Sequence, residues 1–279
     1  MDNISTTIVE TPTGVHGTKL EGRVALVTGG TRGIGAAICK SLASQGASVA
    51  AGYSGNQERA AQFVKEFDRD FEGPGRATVH QGNVSSPEDC RRVVQEVLEQ
   101  HGRIDILVNN AGITMDKMAL KMSVAEWNEV LAVNLSGSFY MAQPVLEHMV
   151  ERGTGRIIFV SSVIGETGNI GQANYAASKA GMLGLTKTLA RESASILARA
   201  GKLVDNGVGI TVNSVTPGFV ATEMLEAIPA NVLDKITAQI PIGRLCHPQE
   251  IARVVHFLAA DASAYITGQV WGVNGGMDM

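Results

Sequence analysis

The sequence predicts a doubly wound α/β fold: one parallel sheet of about seven strands with helices on both faces. Three observations carry that expectation. Short apolar runs alternate with helical stretches of ten or more residues from Arg23 to the C-terminus. Many of the 32 glycines follow apolar runs, where strand-to-helix turns need them. One such run leads into a glycine-rich loop that opens a helix.

Taken in order, residues 1–20 are rich in Thr and Gly without periodicity and are expected to form a mobile tail, or an arm docking on a neighbour. Residues 21–279 are read as a single domain, with no internal repeat and no low-complexity linker. Val24–Thr28 is a buried strand, Gly33–Gln45 an amphipathic helix and Ser48–Gly52 a second strand. Gln57–Phe71 is helical, and Arg76–Gln81 is the third strand. Pro87–Gln100 is a helix with Ser86 as N-cap and Pro87 in its first turn. Ile104–Asn109 is the fourth strand. Ala125–Glu151 holds one long helix or two, and Gly155–Ser161 is the fifth strand. Tyr175–Ala200 is a helix, Gly209–Thr216 the sixth strand, Pro248–Ala259 a helix and Gln269–Val273 the last strand. The connections should be right-handed crossovers.

Composition narrows the function. Hydrophobic residues make up 44%, enough for a substantial core, and charged residues only 18%, which argues against disorder across the body. A net charge of −4 gives no reason to expect nucleic acid or an anionic membrane as main partner. No apolar run approaches bilayer-spanning length, and the N-terminus lacks the basic and apolar regions of a secretory signal. Cys39, Cys90 and Cys246 are too far apart for a metal-type cluster and read as reduced thiols of a cytoplasmic protein. No metal site is expected.

Two motifs carry chemistry. After the first strand comes Gly29-Gly30-Thr31-Arg32-Gly33-Ile34-Gly35, then a helix. Glycines allow a tight turn and close approach of a pyrophosphate, and the helix N-terminus offers unpaired N–H groups. A plain structural turn is the bland alternative. Further on, Tyr175 and Lys179 stand one helical turn apart, so they share a face. A fixed ammonium favours the phenolate and should pull the phenol pKa down from about 10. Such a pair could exchange a proton near neutral pH.

In combination these residues resemble the classical short-chain dehydrogenase/reductase family, from about Leu20 to the C-terminus. Thr28–Gly35 is similar to its cofactor loop, Asn109-Asn110-Ala111-Gly112 to its Asn-Asn-Ala-Gly motif, and Pro217-Gly218 to the turn after its sixth strand. Asn134, Ser162, Tyr175 and Lys179 match its catalytic positions. The resemblance implies a Rossmann-type fold and a reductase in which Tyr175 is the general acid. It also implies that Lys179 lowers the tyrosine pKa and bonds the nicotinamide ribose. Ser162 would polarise the substrate carbonyl, and Asn134 would anchor a water behind Lys179. Ser161 is expected to face away as a bland neighbour. Cofactor contacts are expected from Gly29, Thr31, Arg32, Gly33, Ile34, Gly35, Asn83, Val84, Asn110, Ala111, Gly112, Tyr175, Lys179, Pro217, Gly218, Val220 and Thr222.

The second strand ends Gly52-Tyr53-Ser54 with no acid, and Arg32 could pair with a phosphate; both favour NADPH. Gly168–Tyr175 and the ending Val273–Met279 look like the subgroup that reduces 3-oxoacyl thioesters. That implies acetoacetyl-CoA as substrate, or an acyl-carrier-protein thioester of fatty-acid synthesis. Another ketone, or a catalytically idle NADPH-binding regulator, remains an alternative. Ser162, Gln172, Tyr175 and Met224 are the expected substrate contacts, with Gln172 bonding its own loop as the alternative, under a helical lid over Thr222–Leu245 whose Met224, Leu225, Ile228 and Val232 could line a pocket or simply pack in the core. Ser193–Gly209 is longer than the family pattern and leaves carrier docking there in doubt. The family commonly forms homotetramers, for which the two longest helices and the last strand are the expected contacts.

Overall fold

The computed structural model describes residues 18–71, 76–203, 208–223 and 230–279. Seven strands form one parallel sheet in the order β3-β2-β1-β4-β5-β6-β7. They are β1 (Val24–Val27), β2 (Ser48–Tyr53), β3 (Ala77–Gln81), β4 (Ile106–Asn109), β5 (Gly155–Val160), β6 (Ile210–Pro217) and β7 (Val270–Val273). The order reverses at β1, which pairs with β2 on one side and β4 on the other. In such sheets the crevice beyond the carboxyl ends of the strands at the reversal is where ligands bind.

Side chains alternate across each strand and feed two cores. Ala25, Val27, Ile158 and Val160 pack with α1 (Gly33–Ala43) and α2 (Gln57–Asp70) on one face. Val24, Leu26, Leu107, Ile157 and Phe159 pack on the other with α3 (Pro87–His101) and with later helices of the chain. Ser86 caps α3 by accepting from the Asp89 N–H, and Gly102 closes it in the left-handed region at φ +74°. Leu20, at the end of the segment read as a tail, belongs to the first core, and its N–H donates to Gln45 O at 2.9 Å. Residues 1–17 lie outside the described residues.

The stretch read as one helix or two is α4 (Val124–Leu131) and α5 (Gly137–Arg152), joined without a break by a π-turn over Ala132–Ser136. A short helix, α6 (Ile164–Thr167), precedes the 27-residue α7 (Ala173–Arg199). Then come α8 (Ala230–Thr237) and α9 (Pro248–Ala259), the latter packing on the α1 face. Met224, Leu225, Ile228 and the Val232 side chain lie outside what is described. The rest of the expected lid segment is anchored to the C-terminal turn: Ile242 N donates to Gly275 O at 3.2 Å, and Ile240 is buried.

The insertion Ser193–Gly209 begins within α7, and its described residues lie at the opposite pole from the crevice. It leads into the amino end of β6, where Gly155 N donates to Gly209 O at 3.1 Å. Lys202 Nζ donates to Val150 O at 2.9 Å and Glu151 O at 2.6 Å, closing the last carbonyls of α5. The insertion therefore straps α7 to α5. Its Asp205-Asn206-Gly207 lies outside the described residues.

Candidate active site

The first wall of the crevice is the glycine loop after β1. Gly29 (φ +62°) and Gly33 (φ +51°) adopt backbone that side chains rarely take. At Gly30 a Cβ would sit 2.8 Å from Val27 O and 2.9 Å from the Ala51 Cβ, so the turn lies directly on β2. Arg32 is the N-cap residue of α1, extended at φ −153°; it makes no side-chain cap, and no acid stands in the first turn. The first N–H groups of α1 thus face the crevice with a positive dipole end. Thr28 locks this loop to the next: its Oγ1 accepts from Asn110 N (2.9 Å) and Ala111 N (3.0 Å). Asn110 Nδ2 returns to Thr28 O at 3.0 Å and Gly29 O at 3.2 Å.

The far wall follows β6. Gly218 lies so close to Asn274 that a Cβ would meet its Cα at 2.9 Å. Ala221 N donates to Cys246 O and Cys246 N to Phe219 O, which fixes the backbone around Val220. Thr222 faces the glycine loop; its Cγ2 would be 3.6 Å from a Cβ on Gly33. These walls, an uncapped helix end and glycines where a side chain would intrude, fit a dinucleotide pyrophosphate.

At the floor, Lys179 is 3% exposed, and its Nζ donates to Val160 O at 2.8 Å. The Nζ lies 5.7 Å from the centre of the Tyr175 ring. A Cβ on Gly112 would stand 3.2 Å from Asn134 Oδ1 and 3.4 Å from this Nζ, so the loop after β4 passes close to both. Burial pushes the Lys179 pKa down to about 8. Tyr175 departs from the sequence reading. Burial raises its phenol above the ordinary value and the Asp116 carboxylate adds to this, against a hydrogen bond with Ser162 that lowers it. The Lys179 ammonium, expected to favour the phenolate, is itself desolvated and gives its hydrogen bond to the Val160 carbonyl.

Asn134 is fully buried in the π-turn. Its Oδ1 accepts from Ile113 N at 2.8 Å, and its Nδ2 donates to Ile113 O and Ser178 Oγ, both at 3.0 Å. The amide is therefore spent on protein groups. Ser178 Oγ in turn donates to Tyr175 O at 2.8 Å, so Asn134 braces the first turn of α7.

Two other expectations change. Gln172 Nε2 donates to both Asp116 oxygens at 3.0 and 3.1 Å, while its Oε1 accepts from Asn169 at 2.8 Å. Both ends of this side chain are occupied in stitching two loops together, so it is not poised for a thioester. Asn83 Oδ1 accepts from Ser85 N (3.1 Å) and Ser85 Oγ (2.9 Å), holding its own turn. Val84 O lies against α5, 2.8 Å from where a Gly137 Cβ would stand.

Sequence reading also missed residues. Asn174, buried beside Tyr175, donates to Met115 O and Glu126 O at 3.1 and 3.2 Å and accepts from Tyr175 N at 2.7 Å. Arg59, in the first turn of α2, pairs with Glu223 at 3.2 Å across the mouth of the crevice. Its position just after a β2 end that lacks an acid was the available signal.

Comparison with known proteins agrees with this architecture. A family model described as short chain dehydrogenase matches residues 23–232. An acetoacetyl-CoA reductase of Rhizobium meliloti is 48% identical over 255 residues, spanning 91% of this chain and 98% of that protein. The acetoacetyl-CoA reductase of Shinella zoogloeoides is likewise 48% identical over 255 residues, with the same shares of each chain. A 3-oxoacyl-[acyl-carrier-protein] reductase of Thermotoga maritima is 44% identical over 260 residues, 93% of this chain and 99% of that one. Family match, parallel sheet and crevice together make the chain an oxidoreductase of the short chain dehydrogenase family.

Proposed function

We propose that this protein reduces a 3-oxoacyl thioester with NADPH, acetoacetyl-CoA being the substrate and 3-hydroxybutanoyl-CoA the product. The observation that carries this reading is the convergence of Ser162, Tyr175 and Lys179 at the foot of a crevice whose rim is the uncapped α1. The bound nicotinamide would supply the hydride. Tyr175, whose phenol is held protonated by burial, would donate a proton to the carbonyl oxygen. Ser162 would bond that oxygen and stabilise negative charge as it develops. Lys179, with a pKa of about 8, is suited to re-protonate Tyr175 near neutral pH and to hold the ribose.

The glycine loop, Thr31, Ile34, Asn110, Ala111, Pro217, Gly218, Val220 and Thr222 would hold the cofactor. For NADPH over NADH the support is two guanidinium groups, Arg32 at the start of α1 and Arg59 at the start of α2. An acyl-carrier-protein thioester is the second reading, favoured by the relatives named for that substrate. The protein is further proposed to be cytoplasmic, consistent with the absence of any helix among the described residues long and apolar enough to cross a membrane. A homotetramer is proposed from partly exposed Phe139 and Ile196 on α5 and α7, and exposed Phe257 and Tyr265 at the C-terminal edge.

The test is NADPH oxidation with acetoacetyl-CoA, repeated with NADH and with the carrier-protein thioester. Fast turnover with NADPH and acetoacetyl-CoA, lost in Tyr175→Phe while NADPH still binds, is expected. Tyr175→Phe retaining turnover would reject the assigned acid; turnover only with the carrier-protein thioester would reject the assigned substrate.

A further inference from the structure

The turn that leaves β5 does more than present Ser162. It is fixed to β6 from below: Ser161 N donates to Val215 O at 2.8 Å, and Val163 N to Pro217 O at 2.9 Å. It also grips α7 at one residue. Val160 O receives the Lys179 Nζ at 2.8 Å. Ser161 Oγ donates to the Lys179 backbone carbonyl at 2.7 Å. Gly165 lies against the next peptide, where a Cβ would stand 2.8 Å from both Lys179 C and Ala180 N. Lys179 is thus held at both ends, side chain and main chain, by consecutive residues of one turn. Ser161 is 3% exposed, and its hydroxyl, expected to face the other way from Ser162, bonds the main chain of α7. Ser162, next along, accepts at its Oγ from Ile164 N at 3.2 Å, and its hydroxyl acts to lower the Tyr175 pKa.

We infer that Ser161 is a positioning residue for the reaction: its hydroxyl fixes the height of α7 above β5, and so sets the spacing of Tyr175 and Lys179 from Ser162. Two side-chain ties also hold the helix to the sheet, the Lys179 ammonium on Val160 O at 2.8 Å and Thr186 Oγ1 with Ser214 Oγ at 2.6 Å, but both act through side chains that can pivot. The Ser161 bond grips the main chain of the helix at the lysine itself. This inference rests on the proposed roles of Ser162, Tyr175 and Lys179.

The experiment compares Ser161→Ala, Ser161→Thr, Ser161→Val and Lys179→Ala by steady-state NADPH oxidation with acetoacetyl-CoA, over a pH series, with a melting curve for each. Thr and Val add the same methyl group and differ only in the hydroxyl, so that pair carries the contrast even if Ala does not fold. Misplacing a reacting group by on the order of 1 Å costs about 100-fold. The expected result is a kcat about 10–100-fold lower in Ala and Val, with KM for acetoacetyl-CoA little changed and most of the rate restored in Thr. The alkaline limb of the profile should move upward, because loosening the turn readmits water to the Lys179 ammonium. Wild-type kcat and pH profile in Ala or Val would overturn the inference. So would a loss that Thr does not restore, or one that follows the melting temperature with the profile unmoved. Lys179→Ala separates the two layers. If it is inactive while Ser161→Ala is normal, the positioning role fails and the proposed function stands. If Lys179→Ala turns over normally, the proposed function fails at its root.

Discussion

Replacing Thr28 by Val keeps the shape of the side chain and removes one oxygen. That oxygen accepts two backbone N–H groups, Asn110 N at 2.9 Å and Ala111 N at 3.0 Å, from a site 3% exposed. Its own proton makes only a long bond to Val108 O at 3.4 Å, so the loss is almost entirely of acceptor capacity. Each buried donor left without a partner costs about 1–3 kcal/mol. Asn110 and Ala111 are only half-buried, so the lower half of that range applies and the sum is about 2–4 kcal/mol. For a chain of this size about 2 °C of melting temperature is lost per kcal/mol, giving a fall of about 4–8 °C. The assay is a thermal melt monitored by circular dichroism, with Thr28→Ser as control, since serine keeps the oxygen. A Val variant that melts within about 1 °C of wild type, or no lower than the Ser variant, would refute the assignment of Thr28 as the lock between the two loops.

Other consequences can be measured in the same preparations. Gly35→Ala would put a methyl inside contact distance of Gly29 O and 2.7 Å from Asn110 Nδ2, so it should destabilise by about 3 kcal/mol. Gly33→Ala meets nothing closer than Thr222 Cγ2 at 3.6 Å and should cost only its left-handed backbone, about 1–2 kcal/mol, yet weaken NADPH binding about tenfold or more in a fluorescence titration. Equal stability losses in the two would contradict this geometry. Lys179 has its folded pKa lowered from 10.5 to about 8, so burial of its charge opposes folding below about pH 8, and that penalty fades as pH rises toward 10.5. Lys179→Met should therefore be inactive yet more stable than wild type at pH 7, by about 1–3 kcal/mol in urea denaturation, with the gain shrinking above pH 8. A gain that grows with pH would reverse the sign of this argument. Lys202→Met should lose about 0.5–1 kcal/mol of stability with kcat and KM unchanged; altered kinetics would mean the far pole communicates with the crevice.

The strands and most helices were legible because their signals are local. Runs such as Val24–Val27 and Ile106–Asn109 are short, rich in β-branched residues and followed by turn residues, which marks them as strands buried on both faces, and Ser86-Pro87 states its own helix start. The π-turn was not legible: Ala132–Ser136 has ordinary helical composition, and the wider turn goes with an Asn134 amide bonded to Ile113, remote in sequence. The same limit explains the site. Spacing put Tyr175 and Lys179 on one face, but the direction of the tyrosine shift depends on how deeply the fold desolvates both groups. For Gln172 the sequence offered both a thioester contact and a bond within its own loop; the bond to Asn169 is the local one, and the tie to Asp116, 56 residues away, was out of sight. Ser161 looked bland for a similar reason, since alternation along a strand does not foresee a helix lying across the turn that ends it.

Helix α7 runs 27 residues, roughly 40 Å, from the candidate proton donor to the strap at the opposite pole. The two ends of this one rod thus stand at opposite poles, and an exposed side chain beside the strap can be replaced without touching the crevice. Leu203, exposed beside the strap, offers a place for a single introduced cysteine. A support or reporter coupled there would present the crevice outward, away from the attachment. Immobilised in that orientation, the protein should admit substrates as large as a coenzyme thioester without hindrance from the surface that carries it.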